Sequence, residues 1–438
     1  MDYLIVTGLV AEVLLLSRLD RRIFGTWFTP FNLLSYPYAT VVLVAFFFAP
    51  PLDFVSLYAP SVGIWIVGLF LFWWTGALIG WVFLGSSIVY RPLSAEEEWT
   101  SKESFPSKLA TGLAWGITPL MAYGLYKSLA ASGGLFLMFS ADFKSAYTYG
   151  LSAHAVVLAT PLSVLLIGTY KKGRKLQFII IGVLLVFLFI SQVKGTLLVP
   201  IIAALIFRAI RANAKLPVKK VIVGIFLSYV LFNAVYLIGY SFADSSILQD
   251  PEIYASLARH YFYYLSAGVL AFGQALRTGV GSVGGPWYLM FAPFINVYRA
   301  LLGSGPLLVA VSPRELGMDT DLSGTADFGS NVYTMFGTLY LYLGPIGAIF
   351  VASSAAFLCY GLLVIMIRSR PNVWLLTLYC ILGGWLVMGF FEYYFWHLPF
   401  LEIIVYCLVL AAISRWVPKR LRSNTHVQPH PKLVPYTS

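Results

Sequence analysis

Residues 329–348 read GSNVYTMFGTLYLYLGPIGA, and the apolar run IFVASSAAFLCYGLLVIMI follows at 349–367. An α-helix needs about 20 apolar residues to cross a bilayer, so this region is long enough to span one. After Gly329 the stretch nevertheless continues with polar Ser330 and Asn331, and it holds three tyrosines and further glycines at 337, 344 and 347. A helix that only crosses lipid needs none of these features. The stretch therefore predicts a membrane helix whose first turns have a second role.

The composition is that of a membrane protein. Hydrophobic residues make up 59% of the 438 residues and charged residues 11%, whereas about a quarter of a soluble domain is charged. Only helices and closed barrels satisfy the backbone in lipid, and the apolar runs here are continuous, which is not the alternation typical of barrel strands. We therefore predict an all-α polytopic integral membrane protein. The sequence has no CxxC, HExxH, Walker A or dinucleotide motif, so we expect no metal and no cofactor.

Hydropathy predicts about 11 transmembrane helices. Residues 1–240 would hold the first eight, 241–330 a long external loop, 331–415 the last three, and 416–438 a basic, disordered cytoplasmic tail. The predicted spans are 3–17, 36–50, 61–84, 108–126, 150–170, 176–193, 195–210, 221–240, 331–367, 373–393 and 398–415.

The distribution of Lys and Arg predicts the orientation. All but seven of the 29 fall on one side of the predicted spans, and such an excess marks the cytoplasmic side. The N-terminus is then outside and the C-terminus inside. The net charge of +11 is explained by this excess of Lys and Arg on the cytoplasmic side and by attraction to anionic membrane lipids. It does not indicate nucleic-acid binding.

The external loop at 241–330 is far longer than an ordinary connection, which points to a functional segment. Its apolar stretches at 261–276 and 286–302 are predicted to be short helices at the membrane interface, where tyrosine and tryptophan are enriched.

The seven remaining basic residues lie on the predicted external side, and several adjoin apolar helices. Guanidinium groups bind phosphate through two parallel hydrogen bonds, so the cluster predicts an anion site. The alternative is that these side chains pair with nearby acids or reach the interface. Lys194, in a short turn between two spans, would face protein or a wet cavity. The seven are Lys127, Lys144, Lys194, Arg259, Arg277, Arg299 and Arg314.

Three residues remain open as the general base of a reaction at this face: His260, Asp327 and Glu392. Histidine exchanges protons near neutral pH, and a partly buried carboxylate can do so as well. Glu392 and His397 flank the segment FEYYFWHLPF, and His154 lies near the outer end of the fifth span. The alternative for each histidine is a structural hydrogen bond.

The opening stretch resembles the hallmark of the Wzy-type polymerases of bacterial O-antigen and exopolysaccharide repeat units, roughly Thr-Asn-Val-Tyr-Thr, an aromatic run, then Tyr-x-Asp-Phe-Gly-x-x-Gly. FTPFNLLSYPY at 28–38 and YYLSAGVLAFGQAL at 263–276 are similar to further segments of that family. Tyr342 and Leu343 stand where the family often has Asp-Phe, so no base is assigned from this motif. The matching positions are Asn331, Val332, Tyr333, Thr334, Tyr340, Gly344 and Gly347.

The resemblance implies a GT-C-like glycosyltransferase in the bacterial inner membrane. It would transfer a growing glycan from undecaprenyl diphosphate to the next lipid-linked repeat unit at the periplasmic face, with a chain-length-regulating membrane protein as a further partner. Arg259, Arg277 and Arg299 would stabilise the leaving diphosphate, with His260, Asp327 or Glu392 as base. Lys194, Arg314, Asn331, Tyr333 and Tyr264 would contact the substrate, Asn331 by capping the ninth span and Tyr333 by lining the pocket.

Two alternatives stay open. One is the related ligase, which moves the finished chain onto lipid A core and differs in the motif at 329–348. The other is a flippase or transporter of the lipid-linked unit. A transporter predicts ionisable residues along several spans, whereas this sequence concentrates charge on one external loop.

Overall fold

The structure is a computed structural model, and it describes most of the chain. The described residues are 2–85, 104–134, 140–147, 150–191, 194–212, 229–230, 233–234, 237, 251–279, 287–303, 320–322, 329–330, 332–368 and 372–423.

Within these residues the chain is helical apart from one short antiparallel pairing of β1 (Thr320–Asp321) with β2 (Gly329–Ser330). Short 3-10 helices occur at Pro50–Leu52, Trp287–Phe291, Met388–Phe390 and Tyr394–Trp396. The α-helices are α1 (Asp2–Phe24), α2 (Pro30–Phe48), α3 (Ala59–Leu84), α4 (Ser104–Ser132), α5 (Ala141–Tyr147), α6 (Leu151–Thr169), α7 (Lys175–Ile190), α8 (Lys194–Arg211), α9 (Pro251–Thr278), α10 (Ala292–Leu302), α11 (Met335–Arg368), α12 (Val373–Val387) and α13 (Leu398–Ser423).

The protein is a helical membrane protein. Six of the described helices are long and apolar enough to cross a bilayer: α2, α3, α6, α11, α12 with its 3-10 extension to Phe390, and α13. Helices occupy ten of the eleven segments that hydropathy predicted as spans. The exception, 221–240, lies outside the described residues except for five positions, which are helical.

Helix α12 lies at the centre of the bundle and is the most buried of the six. It packs against α2 on one side and against α6 and α8 on the other, and it also contacts α11 and α13. Helices α1, α3 and α11 pack around α2, while α4 and α7 pack around α6. The two groups of helices are therefore joined through α12.

Buried polar groups hold the corner between α1 and α2. Thr29 caps α2, because its Oγ1 accepts the Asn32 N–H at 3.3 Å. The hydroxyl of Tyr360 in α11 donates to the carboxylate of Asp20, at 3.1 and 3.0 Å from its two oxygens, and accepts the Phe31 N–H at 3.2 Å. These bonds tie α11 to both helices, and they satisfy groups that would be costly to bury alone.

The helix predicted at 261–276 is part of a longer one. This stretch belongs to α9, a 28-residue helix, and its residues 266–273 are buried against α2, α3 and α11. Among its aromatic residues, Phe272 fills the space beside Gly337 of α11. The second stretch, 286–302, forms the 3-10 helix 287–291 and α10, whose apolar side chains include exposed Phe294, Tyr298 and Leu301.

The end of the long loop is fixed to the α2–α3 connection. The Val55 N–H donates to the Leu322 carbonyl at 2.9 Å, next to the pairing of β1 with β2. The same connection runs alongside α9, since Phe54 contacts Tyr263 and Tyr58 contacts Gly273. The chain therefore enters α11 at the end of the bundle where the α2–α3 connection lies.

We expect Tyr360→Phe to destabilise the fold by about 1–3 kcal/mol, because it leaves the buried Asp20 carboxylate without its tyrosine donor. Thermal unfolding of the purified protein in detergent measures the effect. Tyr123→Phe is the matched control, since Tyr123 is an exposed tyrosine of α4. Equal melting temperatures for the two variants would contradict a structural role for the Asp20–Tyr360 bond.

Candidate functional site

The turn between α12 and α13 holds a carboxylate–imidazole pair. His397 Nε2 lies 2.8 Å from Glu392 Oε1, and the Trp396 indole N–H donates to the same oxygen at 3.1 Å. The Glu392 side chain is 21% exposed and that of His397 is 40% exposed. The turn contains two 3-10 helices, Met388–Phe390 and Tyr394–Trp396; Glu392 lies between them and His397 follows the second. The pair is therefore sheltered but open to solvent on the histidine side.

The electrostatics of the pair favour an ionised carboxylate. Burial alone would raise the pKa of Glu392, but the charge of His397 and the hydrogen bonds from His397 and Trp396 outweigh it and hold that pKa below its usual value. A carboxylate that accepts a hydrogen bond from one imidazole N–H orients the ring and leaves the other nitrogen as an acceptor. The arrangement therefore suits Glu392 as the orienting group and His397 as the proton acceptor.

Helix α9 lies directly against this turn. A Cβ on Gly268 would stand 2.7 Å from the Phe390 carbonyl oxygen and 3.1 Å from that of Phe391, so only glycine fits there without a shift. One turn earlier in α9, the ring of Tyr264 stacks on that of Phe391, with centroids 6.4 Å apart. This contact places the first half of α9, which holds most of its aromatic residues, against the turn that contains Glu392 and His397.

Two predicted site residues, Arg259 and His260, lie in the first half of α9, close to Tyr264. The His260 ring contacts those of Tyr264 at 5.0 Å and Tyr263 at 5.7 Å. The Arg259 guanidinium lies 5.2 Å over the ring of Phe54 in the α2–α3 connection. A cation held over an aromatic face keeps its charge in a defined position. The structure therefore gathers Arg259, His260, Tyr264 and Glu392 at one end of the bundle.

The stretch at 332–347 reaches the same turn. The Tyr342 ring packs edge-on against that of Trp396, with centroids 5.5 Å apart. At the start of α11, Thr334 Oγ1 accepts the Gly337 N–H at 3.1 Å. The helix begins at Met335 and Thr334 caps it, whereas Asn331, for which a cap was predicted, lies outside the described residues.

The other distinctive residues of this stretch lie in different surroundings. Tyr333 is fully buried in the core and does not line an open pocket. Of the three glycines, Gly337 admits a neighbouring helix, because a Cβ there would meet the Phe272 ring at 2.7 Å. Gly344 instead breaks the helix, with φ 67° and ψ −180°. A Cβ on Gly347 would meet only Leu343 of its own helix within 4 Å.

Arg277 does not join Arg259. The two residues lie 18 positions apart on one continuous helix, which separates them by about 27 Å along its axis. Arg277 donates to the Ser56 carbonyl at 3.5 Å and lies 5.2 Å over the ring of Tyr58. Arg299 lies near the end of α10, a helix that packs on the 287–291 turn and on α13. A single diphosphate clamp made of Arg259 and Arg277 is therefore excluded by this geometry.

The remaining predicted residues are described in part or not at all. Lys194 is the first residue of α8, and the next residue, Gly195, packs against the ring of Tyr394 in the 394–396 turn. The backbone of Lys194 therefore lies at the same end of the bundle, while its side chain is outside the described residues. Arg314, Asp327 and Asn331 also lie outside the described residues.

A second pair of this type was not predicted. His154 Nδ1 of α6 lies 2.9 Å from Glu402 Oε2 of α13, and the Tyr406 hydroxyl donates to the same oxygen at 3.1 Å. The isolated acid Glu402 near the start of an apolar run was the signal for it, because such a group requires a partner. Across the part of the chain that the structure describes, no three His, Cys, Asp or Glu side chains cluster as a metal site would require.

The lowered pKa of Glu392 gives a pH dependence with a definite sign. The pair contributes its full stability when the pH is above 4.5, the ordinary pKa of a glutamate carboxyl group. That stability is lost as the pH falls through the lowered pKa of Glu392. We expect Glu392→Gln to lower the melting temperature at pH 7, and the gap to the wild type to close below about pH 4.5. Asp142→Asn, which changes an exposed carboxylate, is the control. A gap that is independent of pH would contradict the pairing.

Comparison with known proteins gives one match. A protein-family model described as a family of unknown function (DUF6337) matches residues 53–419, which is most of the chain. No curated protein and no solved structure matches it. The chain therefore belongs to the family of unknown function DUF6337.

Proposed function

We propose that this protein is a metal-independent membrane glycosyltransferase that polymerises lipid-linked oligosaccharide repeat units. The observation that carries the proposal is the meeting of three elements at one end of the bundle. The stretch that resembles the polymerase hallmark touches Trp396 through Tyr342. Trp396 in turn binds Glu392 of the Glu392–His397 pair. The aromatic and cationic half of α9 lies on the same turn through Tyr264.

The proposed reaction transfers the growing glycan from undecaprenyl diphosphate to the non-reducing end of the next lipid-linked unit. A hydroxyl of the acceptor sugar loses its proton to a base, and its oxygen bonds to the anomeric carbon of the donor. The bond from that carbon to the diphosphate oxygen breaks, and undecaprenyl diphosphate leaves with the electron pair. The protein must therefore supply one proton acceptor and positive charge beside the leaving group.

The Glu392–His397 pair is the proposed base. The Glu392 carboxylate fixes the ring through one nitrogen, so the other nitrogen takes the acceptor proton, and the imidazolium that forms is stabilised by the adjacent negative charge. The resemblance predicted an acid at position 342, where this chain has tyrosine. Glu392 supplies a carboxylate next to that position from a different segment of the chain, since its partner Trp396 contacts Tyr342.

Arg259 is the proposed electrostatic stabiliser of the departing diphosphate. It lies five residues before Tyr264, in the half of α9 that packs on the turn. Phosphate oxygens accept the guanidinium fork through two bonds at once, and a lysine cannot reproduce that geometry. Exposed Trp287 and Tyr288, together with Tyr264, offer ring faces on which sugars can stack.

The proposal includes a location and an architecture. The protein would have eleven spans of GT-C-like arrangement in a bacterial inner membrane, with the N-terminus periplasmic and the C-terminus cytoplasmic. Support comes from the distribution of Lys and Arg along the chain. The partners would be undecaprenyl diphosphate-linked oligosaccharide, membrane lipids and a membrane protein that regulates chain length.

The first test is genetic. We expect deletion of the gene in its host to abolish the ladder of glycan lengths and to leave a product with one repeat, because units still reach the outer face but are not joined. Gel analysis of the surface glycan measures the ladder. A full ladder in the deletion strain refutes the proposal. Complete loss of surface glycan indicates a flippase, and loss of attachment to lipid A core with free polymer retained indicates a ligase.

The second test measures turnover by purified protein on lipid-linked oligosaccharide. We expect His397→Ala to reduce kcat by about 10²–10⁴, the usual contribution of a general base. The loss should exceed that of Glu392→Gln, which keeps the base and loses its orienting charge. Thermal unfolding at the assay pH verifies that both variants are folded. An unchanged kcat in His397→Ala would remove the base assignment.

The third test compares two arginines on one helix. We expect both Arg259→Ala and Arg259→Lys to lower turnover, because lysine lacks the planar fork. Arg277→Ala is the matched control, since Arg277 lies about 27 Å away along α9. Equal turnover in Arg259→Ala and Arg277→Ala would contradict the assignment of the diphosphate to the Arg259 end.

A further inference from the structure

A groove of about 580 Å³ lies between the 3-10 helix 287–291 and α11. Trp287 and Phe291 form one wall, and α11 residues between 342 and 351 form the other. None of the residues that line it is charged. Its size falls in the usual range for a site that takes one small ligand, about 300–1,000 Å³.

The groove exists because α11 is broken. Gly344 has φ 67° and ψ −180°, a conformation that favours glycine. Pro345 follows and has no N–H, so the Leu341 carbonyl has no helical donor four residues later. A Cβ on Gly344 would meet no atom within 4 Å. The wall at this point is therefore bare backbone beside open space.

One end of the groove, formed by Tyr342, lies next to the turn that holds Glu392 and His397. Tyr342 is 2% exposed, and its hydroxyl has no hydrogen-bond partner among the residues that the structure describes. A buried hydroxyl without a partner is costly, so a ligand atom that bonds to it would be favoured. The same ring packs on Trp396, which binds Glu392.

The other end opens onto the apolar outer surface of α11. Phe350, which lines the groove, is 70% exposed, and Ile346 and Ile349 beside it are exposed as well. Because α11 is one of the helices able to cross a bilayer, such a surface faces lipid tails. A chain from the bilayer can therefore enter the groove without crossing a polar barrier.

We propose that this groove holds the polyprenyl chain of the lipid carrier, with its first polar atoms at the Tyr342 hydroxyl and its diphosphate beyond the groove, at the Glu392–His397 turn. The inference rests on the proposed function, because that function supplies a carrier with one long aliphatic chain. The absence of charge along the groove fits a hydrocarbon, whereas Arg259 lies in the half of α9 that reaches the turn beyond the Tyr342 end.

The test uses purified full-length protein in phospholipid vesicles and a polyprenyl phosphate that carries a photoactivatable diazirine. We expect mass spectrometry to locate the crosslinks at 287–291 and 342–351. Unlabelled undecaprenyl phosphate should compete, whereas added phosphatidylglycerol should not. Equal labelling of the groove by a diazirine phospholipid would overturn the proposal, because the groove would then be an ordinary lipid-facing surface.

Two variants make the test specific. We expect Phe350→Ala to reduce groove labelling by about fivefold, which corresponds to about 1 kcal/mol. Phe357→Ala is the matched control, since Phe357 is 59% exposed on the same helix and does not line the groove. Tyr342→Phe keeps the ring and should also weaken labelling. Unchanged labelling in both Phe350→Ala and Tyr342→Phe would overturn the proposal.

The outcomes separate this inference from the proposed function. Transfer of glycan without any crosslink in the groove leaves the glycosyltransferase intact and removes the groove as the carrier site. Specific crosslinking in a protein that transfers no glycan supports the groove and removes the proposed function.

Discussion

The contact of Gly268 with the carbonyl groups of Phe390 and Phe391 is the constraint on which the candidate site depends. Without a side chain at 268, α9 comes within van der Waals distance of the turn after α12. Tyr264 then stacks on Phe391, so the first half of α9, which holds Arg259 and His260, reaches the turn that holds Glu392 and His397. Small residues at such crossings allow close packing in membrane proteins, where lipid gives helices little hydrophobic reason to associate. A single methyl group at this position would separate the two halves of the site.

The break in α11 has the complementary effect. The helix supplies Tyr360 to the buried corner with Asp20 and Tyr342 to the opposite end, so one element connects the anchored corner with the candidate site. At Gly344 and Pro345 the backbone leaves helical geometry, and the space beside it becomes a groove. Irregular backbone at membrane depth is tolerated where it borders protein or a cavity. The same interruption that weakens the helix therefore creates room for a ligand.

Much of the fold could be predicted because hydropathy along the chain is local information. The long apolar runs located ten described helices. The burial of 266–273 was not predicted, because the same aromatic residues occur at an interface and in a core beside glycines. The helix cap at Thr334 and the helix break at Gly344 were also not predicted, because they depend on backbone geometry that residue type does not specify.

By itself, the sequence determined that the chain is a helical membrane protein, since burying so many apolar residues in lipid requires continuous helices. Which distant residues meet was decided by packing. Glu392 pairs with His397 through a tight turn, and Arg277 is separated from Arg259 by the length of α9. Partner choice depends on steric fit between helices far apart in the chain, such as Gly268 against the 388–391 turn. No local pattern encodes that fit, because it arises only when both surfaces are in place.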